Sequence, residues 1–92
     1  MEEKKIENYL TREIKKQGGL CLKFISPSMA GVPDRIILLP KGKMFFAELK
    51  STGKKPRALQ VTVHKTLRKL GFKVYVIDSK EQVDKAVKEM LN

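Results

Sequence analysis

Several features are missing from this 92-residue sequence, and each absence excludes a class of protein. It has a single cysteine, Cys21, so no internal disulfide, cysteine zinc site or CxxC redox pair can form. It has no run of 18 apolar residues, so we expect no membrane span. The first residues are charged and lack the apolar stretch of a signal peptide, and we therefore expect a protein of the reducing cytoplasm.

Acidic residues are scarce relative to basic ones. The chain has 10 Asp+Glu against 20 Lys+Arg, a formal net charge of +10. Such an excess favours a polyanionic partner, most often nucleic acid. Hydrophobic residues make up 41% of the sequence, which is enough for a core and argues against disorder. The length predicts a single domain over residues 1–92, whose small core dimerisation would help to stabilise.

The hydrophobic pattern predicts three helices and four strands in the order α-β-β-β-α-β-α. Residues 2–17 are predicted to form a helix, because apolar residues recur every four positions before a Gly-Gly pair. Strands are predicted at residues 19–26, 34–39, 44–50 and 72–78, a loop at 27–33, a helix between Pro56 and Gly71 with Leu59, Val63, Leu67 and Leu70 as its apolar stripe, and a last helix after Ser79. Because the last strand follows a helical crossover, we expect an α/β fold with a mixed four-stranded sheet flanked by helices.

Two carboxylates are predicted to meet on the hairpin of the second and third strands. If its turn centres near Lys41, Asp34 and Glu48 lie seven residues to either side and pair directly across the strands. Paired residues project from one face with Cβ atoms roughly 4.5–5.5 Å apart, and Lys50 shares that face. Adjacent carboxylates repel unless a cation bridges them, and oxygen ligands suit Mg²⁺ or Mn²⁺. The pattern therefore favours metal-assisted phosphodiester hydrolysis.

The first helix offers candidates for a third acid. At 100° per residue, Glu3 falls within the stripe that Ile6, Leu10 and Ile14 form, and Glu7 falls at its edge. A carboxylate on a core-facing stripe needs a partner, for which a metal is one candidate. Glu3 could equally be a first-turn acid that favours the helix dipole.

The ordered motifs resemble a known nuclease family. Residues 31–34 (Gly-Val-Pro-Asp), residues 48–50 (Glu-Leu-Lys) and Gln60 resemble the PD-(D/E)XK superfamily, and within it the small stand-alone VRR-NUC proteins of phages and bacteria, which are similar to Holliday-junction resolvases. The resemblance covers essentially the whole chain and implies a restriction-endonuclease-like core. It also implies a metal-dependent, structure-selective DNA endonuclease that acts as a homodimer on four-way junctions or flaps, in the cytoplasm of a bacterial or phage-infected cell.

The resemblance also implies roles for individual residues. Asp34 and Glu48, joined by the backbone carbonyl of Leu49, would ligate Mg²⁺ or Mn²⁺. Lys50 would orient or activate the attacking water and stabilise the charge that develops on the phosphate. Gln60 matches a glutamine that braces the active site.

Two further assignments follow from the same resemblance. The family's helix-one glutamate, a metal ligand, precedes an aliphatic residue by three positions, which fits Glu3 better than Glu7. Ser26 and Ser28 lie in a segment that in the resolvases is a mobile loop with an assisting serine, and they are candidates for DNA contact.

Other candidates for DNA contact are basic and surround the predicted site. They lie at the hairpin tip, in the loop after the Glu-Leu-Lys motif and along the next helix: Lys41, Lys43, Lys54, Lys55, Arg57, Lys65 and Arg68. His64 is expected at the surface or against DNA, since this chemistry needs no histidine. Nothing resembles a base-reading module, so we expect recognition of backbone and shape.

Plainer interpretations stand beside these predictions. Taken alone, Pro33-Asp34 is a turn-to-strand junction, and Glu48 with Lys50 is an exposed ion pair that contributes about 0–1 kcal/mol. The rival function is a non-catalytic nucleic-acid-binding module on a degenerate nuclease fold. The presence of Asp34, Glu48 and Lys50 together argues against it, because a degenerate relative would typically have lost one of them.

Overall fold

The elements follow one another in the predicted order, as a computed structural model of residues 1–92 shows. In chain order they are α1 (Glu3–Lys16), β1 (Leu20–Lys23), β2 (Arg35–Leu39), β3 (Lys43–Leu49), α2 (Ala58–Lys69), β4 (Val74–Ile77) and α3 (Lys80–Leu91), with a 3-10 turn at Pro40–Gly42. The first strand is shorter than predicted, because pairing with β2 covers only its four residues. None of the helices has the length and apolar character needed to cross a bilayer.

The four strands form one mixed sheet in the order β1-β2-β3-β4. The first three strands are antiparallel neighbours, and β4 lies parallel to β3 after the crossover through α2. The hairpin register pairs Arg35 with Ala47 and Leu39 with Lys43, which places the turn at Lys41 as predicted. Lys41 and Gly42 both adopt positive φ, 70° and 73°, the conformation that a tight hairpin turn favours.

The main core lies on the sheet face that α1 and α3 cover. Its buried residues come from the sheet and from these two helices: Ile6, Leu10 and Ile14 of α1, Ile37, Leu39, Ala47, Leu49 and Ile77 of the sheet, and Val83, Ala86, Val87 and Met90 of α3. Cys21, half-buried, packs against this cluster. Large aliphatic side chains on this face provide most of the hydrophobic stabilisation.

The opposite face is covered only in part, by α2 packed near β4. The predicted apolar stripe of α2 is confirmed at Val63, which is buried, and wrong at Leu59 and Leu70, which are 54% and 69% exposed. Beside Val63 the helix buries Gln60 and His64. The physical reason is that the sheet beneath this helix carries a buried carboxylate, which polar side chains can satisfy and leucines cannot.

Candidate metal and active site

The two predicted carboxylates meet where β2 begins beside β3. Asp34 directly precedes β2, and continuation of the register places it opposite Glu48. Glu48 is 1% exposed, whereas Asp34 is half-buried. Asp34 is held in place from both sides: its Oδ2 accepts a hydrogen bond from the Leu49 N–H at 2.9 Å, and its carbonyl accepts one from the Phe24 N–H at 2.7 Å. The local backbone therefore fixes one carboxylate relative to the other.

The loop that leads into Asp34 packs tightly on α2. Gly31 has φ of +87°, and a Cβ there would lie 3.0 Å from Leu59 Cγ and 3.1 Å from Val63 Cγ2. Only glycine combines that backbone angle with so close an approach. The Gly-Val-Pro-Asp motif thus packs against α2, at Leu59 and Val63, three residues before Asp34.

Glu48 is surrounded by the other residues of the motif set. Gln60 Nε2 donates to Glu48 Oε2 at 3.0 Å, and Lys50 Nζ lies 3.4 Å from the same oxygen. Gln60 is itself oriented, because its Oε1 accepts a hydrogen bond from the Arg57 N–H at 2.9 Å. Gln60 therefore lies at the active-site carboxylate, where it was predicted. The Lys50 ammonium lies at the same carboxylate, Glu48, with which it was predicted to share a face.

The electrostatics of the pair suit a cation. Burial and the neighbouring Asp34 carboxylate raise the pKa of Glu48 to about 7, while Lys50 acts in the opposite direction. Glu48 Oε1 is buried and has no hydrogen-bond partner. Two facing carboxylates are a donor set that Mg²⁺ or Mn²⁺ would fit. The predicted third ligand, the carbonyl of Leu49, stays a prediction.

His64 does not lie at the surface, and that prediction is wrong. Its side chain is 2% exposed, and its Nε2 lies 3.5 Å from Glu48 Oε1. Burial and the positive charge of Arg68 lower its pKa, so the imidazole is neutral at physiological pH. The spacing contained the signal, because residues four apart on a helix share a face and Gln60 already pointed to the site.

The first helix does not bring a third acid to this pair. Glu3 is exposed, because the buried face of α1 starts only at Ile6, so its predicted place on the core stripe is wrong. Glu7 instead pairs with the buried Arg35, with 3.0 Å between Oε2 and Nη2. Arg35 follows Asp34 in the chain and therefore projects from the opposite face of the sheet. No cluster of three or more Asp, Glu, His or Cys suited to a metal occurs.

Most of the basic candidates for DNA contact are exposed. Lys54, Lys55 and Arg57 project from the loop that directly follows the Glu-Leu-Lys motif, while Lys41 and Lys65 are exposed at the hairpin tip and on α2. This arrangement brings three positive charges into the segment that leaves the carboxylate site.

That loop is anchored away from its basic residues. Thr52 Oγ1 donates to the Asp78 carbonyl at 2.9 Å, and the Gly53 N–H donates to the Asp78 carboxylate at 3.1 Å. Asp78 directly follows β4 and lies two residues before the start of α3. The sheet edge therefore supports the loop, whose charged side chains remain free to meet solvent.

Two basic candidates have intramolecular partners, and the two serines pair with each other. Lys43 Nζ donates to the Met90 carbonyl at 3.3 Å near the end of α3, and Arg68 Nη2 donates to the Val74 carbonyl at 2.6 Å. The hydroxyls of Ser26 and Ser28 lie 3.2 Å apart in the loop before Asp34. Their DNA contacts stay predictions, and Lys43 points to the core side of the sheet.

Comparisons with known proteins agree with this fold. No family model matches the chain. A protein named "Putative nuclease p44", from Acyrthosiphon pisum secondary endosymbiont phage 1, is 46% identical over 79 residues, which are 86% of this chain and 85% of that protein. A solved structure described as a VRR_NUC domain matches with a TM-score of 0.87 and 33% identity, over 94% of each chain.

The mixed sheet, its three helices and the paired carboxylates define the class as an α/β protein of the nuclease type. Within that class, the chain belongs to the VRR-NUC family. The resemblance that the sequence motifs carried is thus confirmed.

Proposed function

We propose that this protein is a Mg²⁺- or Mn²⁺-dependent endonuclease that cuts branched DNA, four-way junctions or flaps, as a homodimer in the cytoplasm of a bacterial or phage-infected cell. The observation that carries the proposal is the facing pair of Asp34 and Glu48, with the Lys50 ammonium 3.4 Å from Glu48. Membership of the VRR-NUC family and a phage relative named as a nuclease support the same chemistry.

Asp34 and Glu48, with the Leu49 carbonyl, are the residues that would hold the ion. The side chains of this pair offer only carboxylate oxygens, the ligands that a hard divalent cation prefers. When bound, such an ion supplies a Lewis acid for the phosphate and a lowered pKa for a ligated water. The protein contributes the fixed geometry, because Asp34 is tied to the Leu49 amide and Glu48 to Gln60.

Lys50 provides the positive charge next to the reacting groups. Its side chain is 19% exposed, so its ammonium reaches both the buried Glu48 and the surface where a phosphate would arrive. We assign it to orienting the attacking water and to offsetting the negative charge that grows on the phosphate.

DNA binding is proposed to rest on phosphate contacts. The net charge of +10 and the exposed Lys54, Lys55 and Arg57 beside the site support this assignment. Affinity that rests on phosphate contacts falls steeply as salt rises. We therefore expect binding to weaken at higher salt, and a flat salt response in a gel-shift assay would contradict the assignment.

The homodimer is supported by apolar side chains that the single chain leaves open. Leu20 and Leu22 are 58% and 45% exposed on β1, and Ile25 is 82% exposed just after it. Grouped apolar exposure of this kind is typical of interaction surfaces. Paired sites would allow a dimer to cut two strands of one junction. Light scattering coupled to size exclusion would report twice the chain mass, whereas a monomer would contradict the proposed assembly.

The activity is tested by cleavage of end-labelled DNA. Four-way junction, flap and linear duplex would be incubated with Mg²⁺, Mn²⁺ or EDTA, beside an RNA duplex and the Glu48→Ala variant. We expect metal-dependent cutting of the branched substrates that the variant lacks. Tight binding without cutting in either metal would instead support the non-catalytic binding module, and preferential cutting of RNA would overturn the DNA assignment.

A further inference from the structure

Two buried polar atoms face each other behind the carboxylate pair, and neither has a hydrogen-bond partner. They are Glu48 Oε1 and His64 Nε2, which lie 3.5 Å apart. Both side chains are almost completely buried, at 1% and 2% exposure. Leaving a buried polar group without a hydrogen-bond partner is unfavourable, so two such groups within reach of each other are expected to form a hydrogen bond.

The two oxygens of Glu48 are approached by two residues of one helix face. Gln60 and His64 are four residues apart on α2, which places them on the same side of the helix. Gln60 Nε2 already donates to Oε2 at 3.0 Å, while His64 Nε2 faces Oε1. A carboxylate that is held at one oxygen can still swing, whereas one held at both has its plane set.

An imidazole donates a hydrogen bond only from a ring nitrogen that carries a proton. Of the two ring nitrogens of His64, Nε2 is the one that lies 3.5 Å from Glu48 Oε1. With a proton on Nε2, His64 can donate a hydrogen bond to Glu48 Oε1. A proton on Nδ1 would leave two acceptors opposed in a buried site, which is the costlier arrangement.

We propose that His64 is a positioning residue, which donates a hydrogen bond from Nε2 to Glu48 Oε1 and, with Gln60, clamps the carboxylate in the orientation that binds the metal. This inference rests on the proposed metal-dependent function. Hydrogen bonds to a ligating group from the surrounding shell typically change metal affinity 10–100-fold on removal. His64 would therefore act on metal affinity while contacting neither DNA nor the ion.

The first test measures Mn²⁺ binding by titration calorimetry for wild type, His64→Leu and His64→Gln. His64→Leu fills the space without a donor, and we expect its affinity to fall about 10–100-fold. His64→Gln restores an N–H, and we expect affinity within about threefold of wild type. Thermal unfolding of all three proteins reports whether the fold is retained. Wild-type affinity in His64→Leu, or equal losses in both variants, would overturn the clamp.

The second test needs no substitution and stands even if His64→Leu does not fold. Nitrogen-15 NMR of the imidazole at pH 8, with Mg²⁺ and with EDTA, identifies the ring nitrogen that carries the proton. We expect the Nε2–H tautomer in both, and the Nδ1–H tautomer would overturn the clamp. Failure of the proposed function is distinguishable, because wild-type protein would then bind no Mn²⁺ and cut no DNA whichever tautomer is found.

Discussion

The two faces of the sheet use the same strand for different purposes. Toward α1 and α3, β3 contributes Ala47 and Leu49, which are buried among aliphatic side chains. Toward α2, the same strand contributes Phe46 and the buried Glu48, with Lys50 following it. Successive strand residues point to opposite faces, so a one-residue change of register would exchange core and site. Hydrophobic burial on the aliphatic face offsets the unfavourable free energy of burying a carboxylate on the other face.

The largest expected effect is a loss of cleavage without a loss of DNA binding, at a carboxylate on the α2 side of the sheet. Asp34→Asn removes a carboxylate but keeps its size, and we expect cleavage to fall more than about 100-fold while DNA binding persists. Single-turnover cleavage and gel shift measure the two quantities. Glu81→Gln, an exposed acid on α3, is the matched control and should cut like wild type. Normal cleavage by Asp34→Asn would remove Asp34 from the mechanism.

The aliphatic face should respond in stability. Leu49→Ala empties a site that is 1% exposed, and we expect the free energy of unfolding to fall by about 2–5 kcal/mol. Leu70→Ala, at a residue that is 69% exposed on the other side, should change it by no more than about 0.5 kcal/mol. Urea unfolding in EDTA measures both. Similar losses for the two variants would show that the faces do not differ in this way.

The stability of the protein is expected to depend on pH through the buried Glu48 on the α2 side of the sheet. The pKa of Glu48 rises on folding from 4.5 to about 7, so its contribution to stability is fully present below about pH 4.5 and is lost as pH rises through 7. In EDTA at pH 8, Glu48→Gln should therefore be more stable than wild type by about 2–3 kcal/mol, because it removes the ionisation. Thermal unfolding from pH 5 to pH 8 checks this. Parallel pH profiles for the two proteins would refute it.

The smallest effect is expected at the first helix. Glu3→Ala should leave cleavage within about twofold of wild type, since Glu3 is exposed and not beside the carboxylate pair. Glu7→Ala should lower stability by about 1–3 kcal/mol, because it leaves the buried Arg35 without its partner. Cleavage assays and urea unfolding, each carried out on both variants, measure the activity and the free energy of unfolding. Loss of cleavage in Glu3→Ala alone would restore it as the third acid.

Much of the fold and the centre of the site could be predicted from local patterns. The alternation of the strands and a turn at Lys41 were enough to place Asp34 opposite Glu48, and the observed register agrees. The position of Gln60 beside Glu48 followed from the motif resemblance. The rotation of α2 could not be predicted in the same way, because its leucines suggested one buried face and its polar residues another.

The sequence by itself determined the order of elements, the hairpin register and the pairing of Asp34 with Glu48, because these depend on periodicity and turn geometry between near neighbours in the chain. Only the tertiary structure decided that His64 is buried against Glu48 and that Glu7 pairs with Arg35. Those contacts join elements far apart in sequence. They are set by which polar groups must be satisfied once the layers pack, a requirement that no single helix or strand records in its own pattern.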